Sequence, residues 1–171
     1  MKRITLVTGG SRSGKSKHAL ELAASHQSRA FIATAEATDD EMRARIERHR
    51  RERGTSYHTV EEPVDLAMAL KSLPEDTEVV VVDCITVWLG NLFHREKLNQ
   101  GTCQEIEAFL DTLNGPPCHL IMVTNEVGMG IVPGDSASRL FRDIAGGINQ
   151  ELAQRAHKVI VTICGIPLRV K

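Results

Sequence analysis

The chain has 171 residues, of which 42% are hydrophobic and 25% charged, a composition typical of a globular protein with room for one domain and its core. Its net charge of −1 argues against a protein that binds polyanions over its whole surface, so any basic function must be local. Four scattered cysteines without a C-x-x-C pair argue against a zinc or redox motif, and with no signal-like or membrane-spanning segment they favour a cytoplasmic protein.

The first third of the chain alternates between apolar β-branched runs and helical patterns. Arg3–Thr8 is predicted to be a buried strand, "GKSKHALELAAS" a helix, and Ala30–Thr34 a second strand. "TDDEMRARIERHRRERG" is predicted to be a helix, in which Thr38 and Glu41 form the T-x-x-E capping-box pattern and Gly54 is a suitable terminator.

The same alternation continues to the end of the chain. Strands are predicted at Tyr57–Val60, Glu78–Cys84 and His119–Glu126, and in "KVIVTIC" and "PLRVK"; helices are predicted in "VDLAMALKSL", in "CQEIEAFLDTL" and over residues 136–157. The last of these helices has an apolar face with Leu140, Ile144 and Ile148, which we expect to point inward.

Alternating strands and helices predict a mainly parallel sheet covered by helices on both faces. The last two strands are joined too tightly for a parallel crossover, so the final strand is expected to be antiparallel. Without a repeat or a linker, residues 1–171 are predicted to form a single catalytic domain. A glycine-rich loop over residues 126–138 follows a strand's carboxyl end, which is the edge where open α/β sheets bind ligands.

A phosphate-binding motif follows the first strand. "GGSRSGKS" matches G-x-x-x-x-G-K-[ST] between a buried strand and a helix, the context that such a P-loop requires. Backbone N–H groups and the helix N-terminus would surround phosphate oxygens, Lys15 would reach the β- and γ-phosphates, and Ser16 would hold Mg²⁺. The alternative is a glycine-rich turn that matches by chance. The predicted nucleotide-binding residues of the loop are Gly9, Gly10, Ser11, Arg12, Ser13, Gly14, Lys15 and Ser16.

An acidic residue on the metal side of the phosphates is the natural complement of a P-loop. Asp83 ends the "VVVVD" strand and is predicted to be a Mg²⁺ ligand, directly or through water. Its alternative role is to cap the next helix. Together the two features indicate a P-loop protein that binds a nucleoside triphosphate, without distinguishing a kinase from an ATPase or a switch.

The position of a histidine along the arginine-rich helix indicates which way its side chain faces. Met42, Ile46, His49 and Arg53 fall along one stripe, which its two apolar members predict to face the protein. A histidine that only packs the helix is one interpretation. Beside a bound triphosphate, however, His49 could be a nucleophile on phosphorus, with arginines stabilising the phosphate charge. A nucleic-acid helix is a third interpretation, which the low aromatic content of 4% disfavours.

Several segments, in order, resemble one family over nearly the whole chain. They are "LVTGGSRSGKS", "IATAEATDDEMRARIERHRRERG", "VEEP", "VVVVDCITVWLGNL", "VTNEVGMGIVP", "RLFRDIAGGINQELA" and "GIPLRVK". They resemble the bifunctional adenosylcobinamide kinase / adenosylcobinamide-phosphate guanylyltransferase family of cobalamin synthesis. The resemblance implies a RecA-like three-layer P-loop fold. The P-loop alone is weak evidence, whereas "TNEVGMGIVP" and the "DDEM" to "RIERH" segment are much more specific.

The resemblance implies two reactions that use Mg²⁺, of which the first takes ATP or GTP and the second takes GTP. A γ-phosphoryl group would pass to the aminopropanol hydroxyl of adenosylcobinamide, and GMP would then pass from GTP, through an enzyme histidine, to adenosylcobinamide phosphate. His49 is the histidine of the matching segment, and its helix is expected to swing toward the P-loop. The resemblance also implies a homotrimer with active sites near subunit contacts.

The family's nucleotide contacts map onto positions throughout the first half of the chain. Besides the P-loop they are Thr34, Ala35, Glu36, Arg50, Arg51, Glu52, Arg53, Glu61 and Asp83. His49 and Lys15 are the predicted catalytic residues, and Ser16 and Asp83 the predicted metal ligands. A monofunctional P-loop kinase with an inert His49, and a RecA-like module that binds nucleic acid, are the rival interpretations.

Further polar residues have two interpretations each. Asn125 and Glu126, at a strand end, could position the acceptor hydroxyl or the metal, or only form a turn. The group Arg139, Arg142 and Asp143 could line the same cleft or form surface ion pairs. His18 and Trp88 are predicted to be structural, Trp88 as core or a subunit contact in preference to a corrinoid platform.

Overall fold

The computed structural model describes residues 2–98 and 101–171, with only the backbone of Glu52. The strands are β1 (Ile4–Gly9), β2 (Arg29–Ala33), β3 (His58–Glu61), β4 (Val79–Asp83), β5 (His119–Val123), β6 (Lys158–Ile163) and β7 (Ile166–Arg169). The α-helices are α1 (Lys15–Ala23), α2 (Asp40–Arg53), α3 (Leu66–Lys71), α4 (Ile85–His94), α5 (Gln104–Thr112) and α6 (Ser136–Arg155). A 3₁₀ turn covers Val127–Met129.

The seven strands form one sheet in the order β3-β2-β4-β5-β1-β6-β7. Every neighbouring pair is parallel except β6 and β7, which are antiparallel as predicted. Strand β5 lies between β1, which leads into the P-loop, and β4, which ends in Asp83. The carboxyl ends of these three central strands therefore meet at one edge, where the predicted chemistry is concentrated.

Two apolar layers cover the sheet, one on each face. One contains Val7, Phe31, Val81 and the α1 residue Ala19; the other contains alternate strand residues and side chains of α3, α4, α5 and α6. Because parallel strands are buried on both faces, consecutive residues of β4 from Val79 to Val82 are all fully buried. This is the predicted three-layer α/β architecture.

Helix α4 is not among the helices predicted from the sequence. Its sequence "ITVWLGNLFH" is apolar on most sides because the helix is largely enclosed. Trp88 and Leu89 are fully buried, and the Trp88 indole donates a 2.7 Å hydrogen bond to the carbonyl of Val64. Trp88 is thus a core residue, as predicted.

Two local predictions are wrong. Helix α2 is capped by Asp39, whose carboxylate accepts from the amide of Met42 at 2.7 Å, and not by the Thr38–Glu41 capping box. Aspartate is at least as good an N-cap as threonine, so the motif did not decide the boundary. In α6, Ile144 and Ile148 are buried as predicted, but Leu140 is 52% exposed because the first turns of the helix extend beyond the core.

No helix among the described ranges is long and apolar enough to cross a membrane.

Candidate active site

The P-loop is supported from behind by the turn between β6 and β7. The Ser13 hydroxyl lies 2.8 Å from the Thr162 hydroxyl, and the Gly165 amide donates to the Ser13 carbonyl at 3.0 Å. Both Ser13 and Thr162 are buried. The loop is thereby held by residues that come about 150 positions later in the chain.

Two glycines of the loop have conformations that other residues rarely adopt. Gly9 has φ +146°, and a Cβ added there would lie 2.4 Å from the Thr162 carbonyl oxygen. Gly14 has φ +96° and begins α1 without a side-chain cap. The first amides of α1 are therefore not engaged by a capping side chain, and a helix N-terminus with free N–H groups is suited to bind phosphate.

Lys15 is buried, although lysine is almost never fully buried without a partner. Its ammonium group donates to the Gly10 carbonyl at 2.5 Å across the loop. Burial lowers the pKa of Lys15, and the neighbouring Asp83 opposes that shift. A buried cation beside free amide groups gives this end of the cleft a positive character that matches a polyphosphate.

Asp83 lies half-buried at the floor of the same cleft. Burial raises the pKa of its carboxyl group, whereas the Ser16 hydroxyl and the cationic side chains of Lys15 and Arg45, together with His49, act in the opposite direction. The structure thus brings Ser16, Lys15, His49 and Asp83 together, although they come from α1, α2 and β4. All four were predicted site residues.

Helix α2 lies over the P-loop and encloses a cleft of about 650 Å³ with it. Met42, Ile46, His49 and Arg53 are half-buried, whereas the other α2 side chains that the structure describes are exposed. The stripe predicted from helical phase therefore faces inward, and all four of its members line the cleft. His49 is directed toward the phosphate-binding loop and not into the hydrophobic core.

The far end of the cleft contains an aromatic and arginine cluster. The Arg53 guanidinium stacks on the Phe31 ring, 4.2 Å from its centroid, and the Arg53 Nε is buried without a hydrogen-bond partner in the described part of the chain. Arg50 forms an ion pair with Glu61. Predicted nucleotide-binding residues that line the cleft are Ser11, Arg12, Ser13, Gly14, Lys15, Ser16, Ala35, Arg50, Arg53, Glu61 and Asp83.

Other predicted contacts lie beside the cleft. Thr34 is fully buried, where its hydroxyl accepts from the Cys84 amide at 2.8 Å and donates to the Cys84 carbonyl at 2.9 Å. Glu36 forms an ion pair with Arg95 at 2.7 Å. Arg51 is exposed on the outer face of α2, and the side chain of Glu52 is outside the described atoms. Gly9 and Gly10 form the entry to the P-loop behind its lining residues.

Several cleft residues were not among the predicted nucleotide contacts. Arg45 and Arg48 of α2 line the cleft, although neither belongs to the predicted inward stripe of the helix. Long arginine side chains can reach around a helix, so phase alone does not place their charged ends. Asn125, a candidate from the sequence for positioning the acceptor hydroxyl or the metal, also lines the cleft from the end of β5.

The remaining polar candidates have mainly structural contacts. The Glu126 carboxylate accepts from the Thr8 hydroxyl at 2.8 Å and from the Asn149 amide at 3.0 Å. Arg139 donates to the carbonyls of residues 133 and 134. Arg142 lies 3.7 Å from Asp143, and His18 lies 3.4 Å from Glu21.

A family comparison matches this arrangement over nearly the whole chain. Residues 5–170 match the model of the family described as cobinamide kinase / cobinamide phosphate guanyltransferase. The chain belongs to this family. The chain is 42% identical over 167 residues to the bifunctional adenosylcobalamin biosynthesis protein CobP of Pseudomonas aeruginosa, covering 97% of this chain and 96% of that protein. It is 39% identical over 178 residues to the CobU protein of Escherichia coli, covering 97% and 98%.

Solved structures support the fold of this cobinamide kinase / guanyltransferase family member. The RadB recombinase superposes with a TM-score of 0.54 at 18% identity, over 93% of this chain and 73% of that one. An ATPase of a bacterial type III secretion system gives 0.55 at 10% identity, over 98% and 56%. At such low identity these proteins share only the P-loop α/β fold, whereas the family match identifies a transferase.

The donor atoms at the end of the P-loop of this cobinamide kinase family member are suited to bind a metal ion. Among residues 2–98 and 101–171, no group of three or more His, Cys, Asp and Glu side chains is arranged to hold a metal ion by itself. Ser16 and Asp83, however, place a hydroxyl and a carboxylate next to each other at the end of the P-loop. Mg²⁺ takes few protein oxygens and completes its shell with phosphate and water, so this pair suits Mg²⁺ bound with a nucleotide.

Proposed function

We propose that this transferase phosphorylates the aminopropanol hydroxyl of adenosylcobinamide and then transfers GMP from GTP to adenosylcobinamide phosphate through guanylylated His49. The observation that carries the proposal is the position of His49 on the inward stripe of α2, lining the cleft of the P-loop. A histidine without a nucleotide function would not need to face a phosphate-binding loop. The family match supports the two group transfers, and the inward position of His49 on α2 supports its role as the guanylylated residue.

In the kinase step, the substrate hydroxyl oxygen bonds to the γ-phosphorus of ATP or GTP, and its proton is released to solvent. The bond from that phosphorus to the β–γ bridging oxygen breaks, and a nucleoside diphosphate leaves. Free amides of the P-loop and the Lys15 ammonium would hold the phosphates in line and stabilise the charge that develops on them. Mg²⁺ held by Ser16 and Asp83 would supply additional positive charge at the β- and γ-phosphates.

In the guanylyl step, a neutral ring nitrogen of His49 bonds to the α-phosphorus of GTP. The bond to the α–β bridging oxygen breaks and pyrophosphate leaves, which gives a phosphoramidate. A phosphate oxygen of cobinamide phosphate then attacks the same phosphorus and the P–N bond breaks. This step forms GDP-cobinamide and regenerates the free imidazole of His49. Arg45 and Arg48, which line the cleft beside His49, are suited to bind the phosphate groups during both attacks.

We also propose that α2 swings toward the P-loop when GTP binds. Helix α2 has no fully buried side chain among those the structure describes, so little packing holds it in one orientation. Crystal structures with and without a GTP analogue test this movement. A fixed helix with His49 far from the α-phosphorus in both structures contradicts it.

The covalent step is tested by incubating the enzyme with α-³²P-GTP and Mg²⁺. We expect acid-labile, base-stable label on the wild-type protein and none on His49→Ala, because the phosphoramidate needs the imidazole nitrogen. His18→Ala is the matched control, since His18 lies on the P-loop helix but contacts Glu21, and it should still be labelled. An unlabelled wild-type enzyme that retains kinase activity contradicts the guanylyl-histidine.

The remaining features of the proposal concern the whole protein. We propose a single catalytic domain of residues 1–171 that acts in the cytoplasm as a homotrimer, with cobinamide substrates and without a nucleic-acid partner. Exposed apolar side chains on the C-terminal hairpin support association with further copies of the chain.

A further inference from the structure

The segment between β5 and α6 exposes apolar side chains that neither the core nor the two transfers use. Met129 is 81% exposed and Ile131 is 95% exposed. Val132 in the same loop and Leu140 in the first turns of α6 are each more than half exposed. These four side chains are called the β5–α6 surface below. Single exposed apolar residues are common on proteins, whereas several in one short segment indicate an interaction site.

We propose that the β5–α6 surface binds the corrin ring of adenosylcobinamide and of its phosphate, while the aminopropanol arm of the substrate reaches into the cleft. The proposal rests on the proposed function, which requires this large acceptor to lie next to the bound nucleotide. It assigns recognition of the corrinoid to a part of the chain outside the nucleotide site.

The β5–α6 surface continues from the cleft along the carboxyl edge of the sheet. Asn125, at the end of β5, lines the cleft, and the 3₁₀ turn Val127–Met129 begins two residues later. The Glu126 amide between them donates to the Gly9 carbonyl at 3.1 Å, so the start of the loop lies beside the first residue of the P-loop. The loop therefore adjoins the phosphate-binding end of the cleft, where the acceptor hydroxyl must be placed.

Both ends of the loop are held by hydrogen bonds. The Arg139 guanidinium donates to the carbonyls of Pro133 and Gly134 at 3.1 and 2.7 Å, which ties the end of the loop to α6. At its start, the Met129 amide donates to the Glu126 carbonyl at 3.4 Å. The apolar side chains between these anchors are presented on a defined backbone, which lowers the entropic cost of binding a ligand.

The chemistry of the loop matches that of a corrinoid. A corrin ring has broad apolar faces and a rim of carboxamide side chains, which are uncharged hydrogen-bonding groups. Residues 127–134 contain no charged side chain. No residue that the structure describes accepts a hydrogen bond from the amides of Ile131 and Val132. The same short segment thus offers apolar contacts for the ring and N–H donors for the carboxamide oxygens, the combination typical of small-molecule sites.

The distribution of charge orients the substrate across the two regions. Lys15, Arg45 and Arg48 line the cleft, whereas the loop over residues 127–134 is uncharged. The phosphorylated arm of the reaction intermediate is anionic, and the carboxamides around the ring are not. The arm therefore complements the basic cleft, and the ring complements the β5–α6 surface. The reverse placement would put a phosphate group on an apolar surface and an apolar ring among arginines.

The test measures binding of adenosylcobinamide to the whole chain by equilibrium dialysis, with β,γ-imido GTP and Mg²⁺ present. Ile131→Ser should weaken corrinoid binding by about 10-fold or more, the loss expected when one large apolar side chain no longer buries its surface. Ile131→Leu keeps the apolar area and should stay within about threefold of wild type. Calorimetric titration with β,γ-imido GTP alone should give the same nucleotide affinity for all three proteins.

Kinase assays separate a binding role from a general loss of activity. Ile131→Ser should raise KM for adenosylcobinamide by about the same factor as it weakens binding, with kcat and the nucleotide KM near wild type. Met68→Ser is the matched control, because Met68 is 60% exposed on α3 and does not line the cleft. It should leave both KM values unchanged.

The outcomes distinguish this proposal from the proposed function. Corrinoid binding equal to wild type in a folded Ile131→Ser protein overturns the proposal, as does an equal loss of nucleotide affinity. A smaller mass of Ile131→Ser than of wild type in light scattering identifies another copy of the chain as the occupant and also overturns it. A wild-type protein that binds β,γ-imido GTP but no adenosylcobinamide contradicts the proposed function and, with it, this proposal.

Discussion

At the scale of single residues, the P-loop shows how one backbone position depends on distant neighbours. Gly9 has a left-handed φ and approaches the backbone of Thr162, at the end of β6. Gly10, the next residue, has open space where a Cβ would be added. The motif requires glycine at Gly9 for two reasons. The turn needs a backbone conformation that favours glycine, and the close contact with β6 leaves no room for a Cβ.

Gly9→Ala should therefore destabilise the fold, whereas Gly10→Ala should not. The added methyl group of Gly9→Ala would meet the Thr162 carbonyl at 2.4 Å in a strained conformation, for which we expect a cost of about 2 kcal/mol or more. For a chain of this size this lowers Tm by roughly 5 °C or more. Thermal unfolding followed by circular dichroism measures it, and equal Tm values for the two variants would contradict the explanation.

At the scale of secondary-structure elements, α2 combines a predictable face with an unpredicted start. Its inward stripe follows from the period of the helix, because Met42 and Ile46 identify the side that excludes water. Its first residue depends on which of two adjacent cap candidates accepts the amide hydrogen bond. The structure selects Asp39, so the position of the whole helix over the cleft is set one residue later than the sequence motif indicated.

Asp39→Ala should destabilise α2 more than Thr38→Ala. The Asp39 carboxylate accepts from the Met42 amide, and loss of an N-cap costs about 1 kcal/mol. Protection of the α2 amides against hydrogen exchange should fall by about fivefold in Asp39→Ala and stay near wild type in Thr38→Ala. Equal protection in both variants, or a larger loss in Thr38→Ala, would contradict Asp39 as the N-cap and favour the Thr38–Glu41 capping box.

At the scale of the whole molecule, the C-terminal hairpin leaves an apolar edge to the sheet. Ile163, Ile166, Leu168 and Val170 are each more than half exposed, on the outermost strand pair. An uncovered apolar edge strand is a liability for a monomer in water. In the proposed homotrimer, another copy of the chain would cover this edge.

Light scattering should therefore give the mass of three chains for the wild-type protein. Leu168→Lys should reduce that mass by placing a charge in the contact, while circular dichroism shows a folded protein. Met68→Lys is the matched control, because Met68 is 60% exposed on α3, away from the hairpin, and it should leave the mass unchanged. A monomeric wild-type protein, or a trimer that Leu168→Lys leaves intact, contradicts the proposed contact.

Local patterns of the sequence by themselves determined the alternation of strands and helices, the P-loop, the acidic end of β4 and the inward phase of His49. These are properties of consecutive residues, so periodicity and spacing encode them. Only the tertiary structure decided that Thr162 supports the P-loop, that Thr34 bonds to Cys84 and not to the cleft, and that Asn125 faces the cleft. Those contacts join residues far apart in the chain, and they depend on the order in which the strands assemble into the sheet.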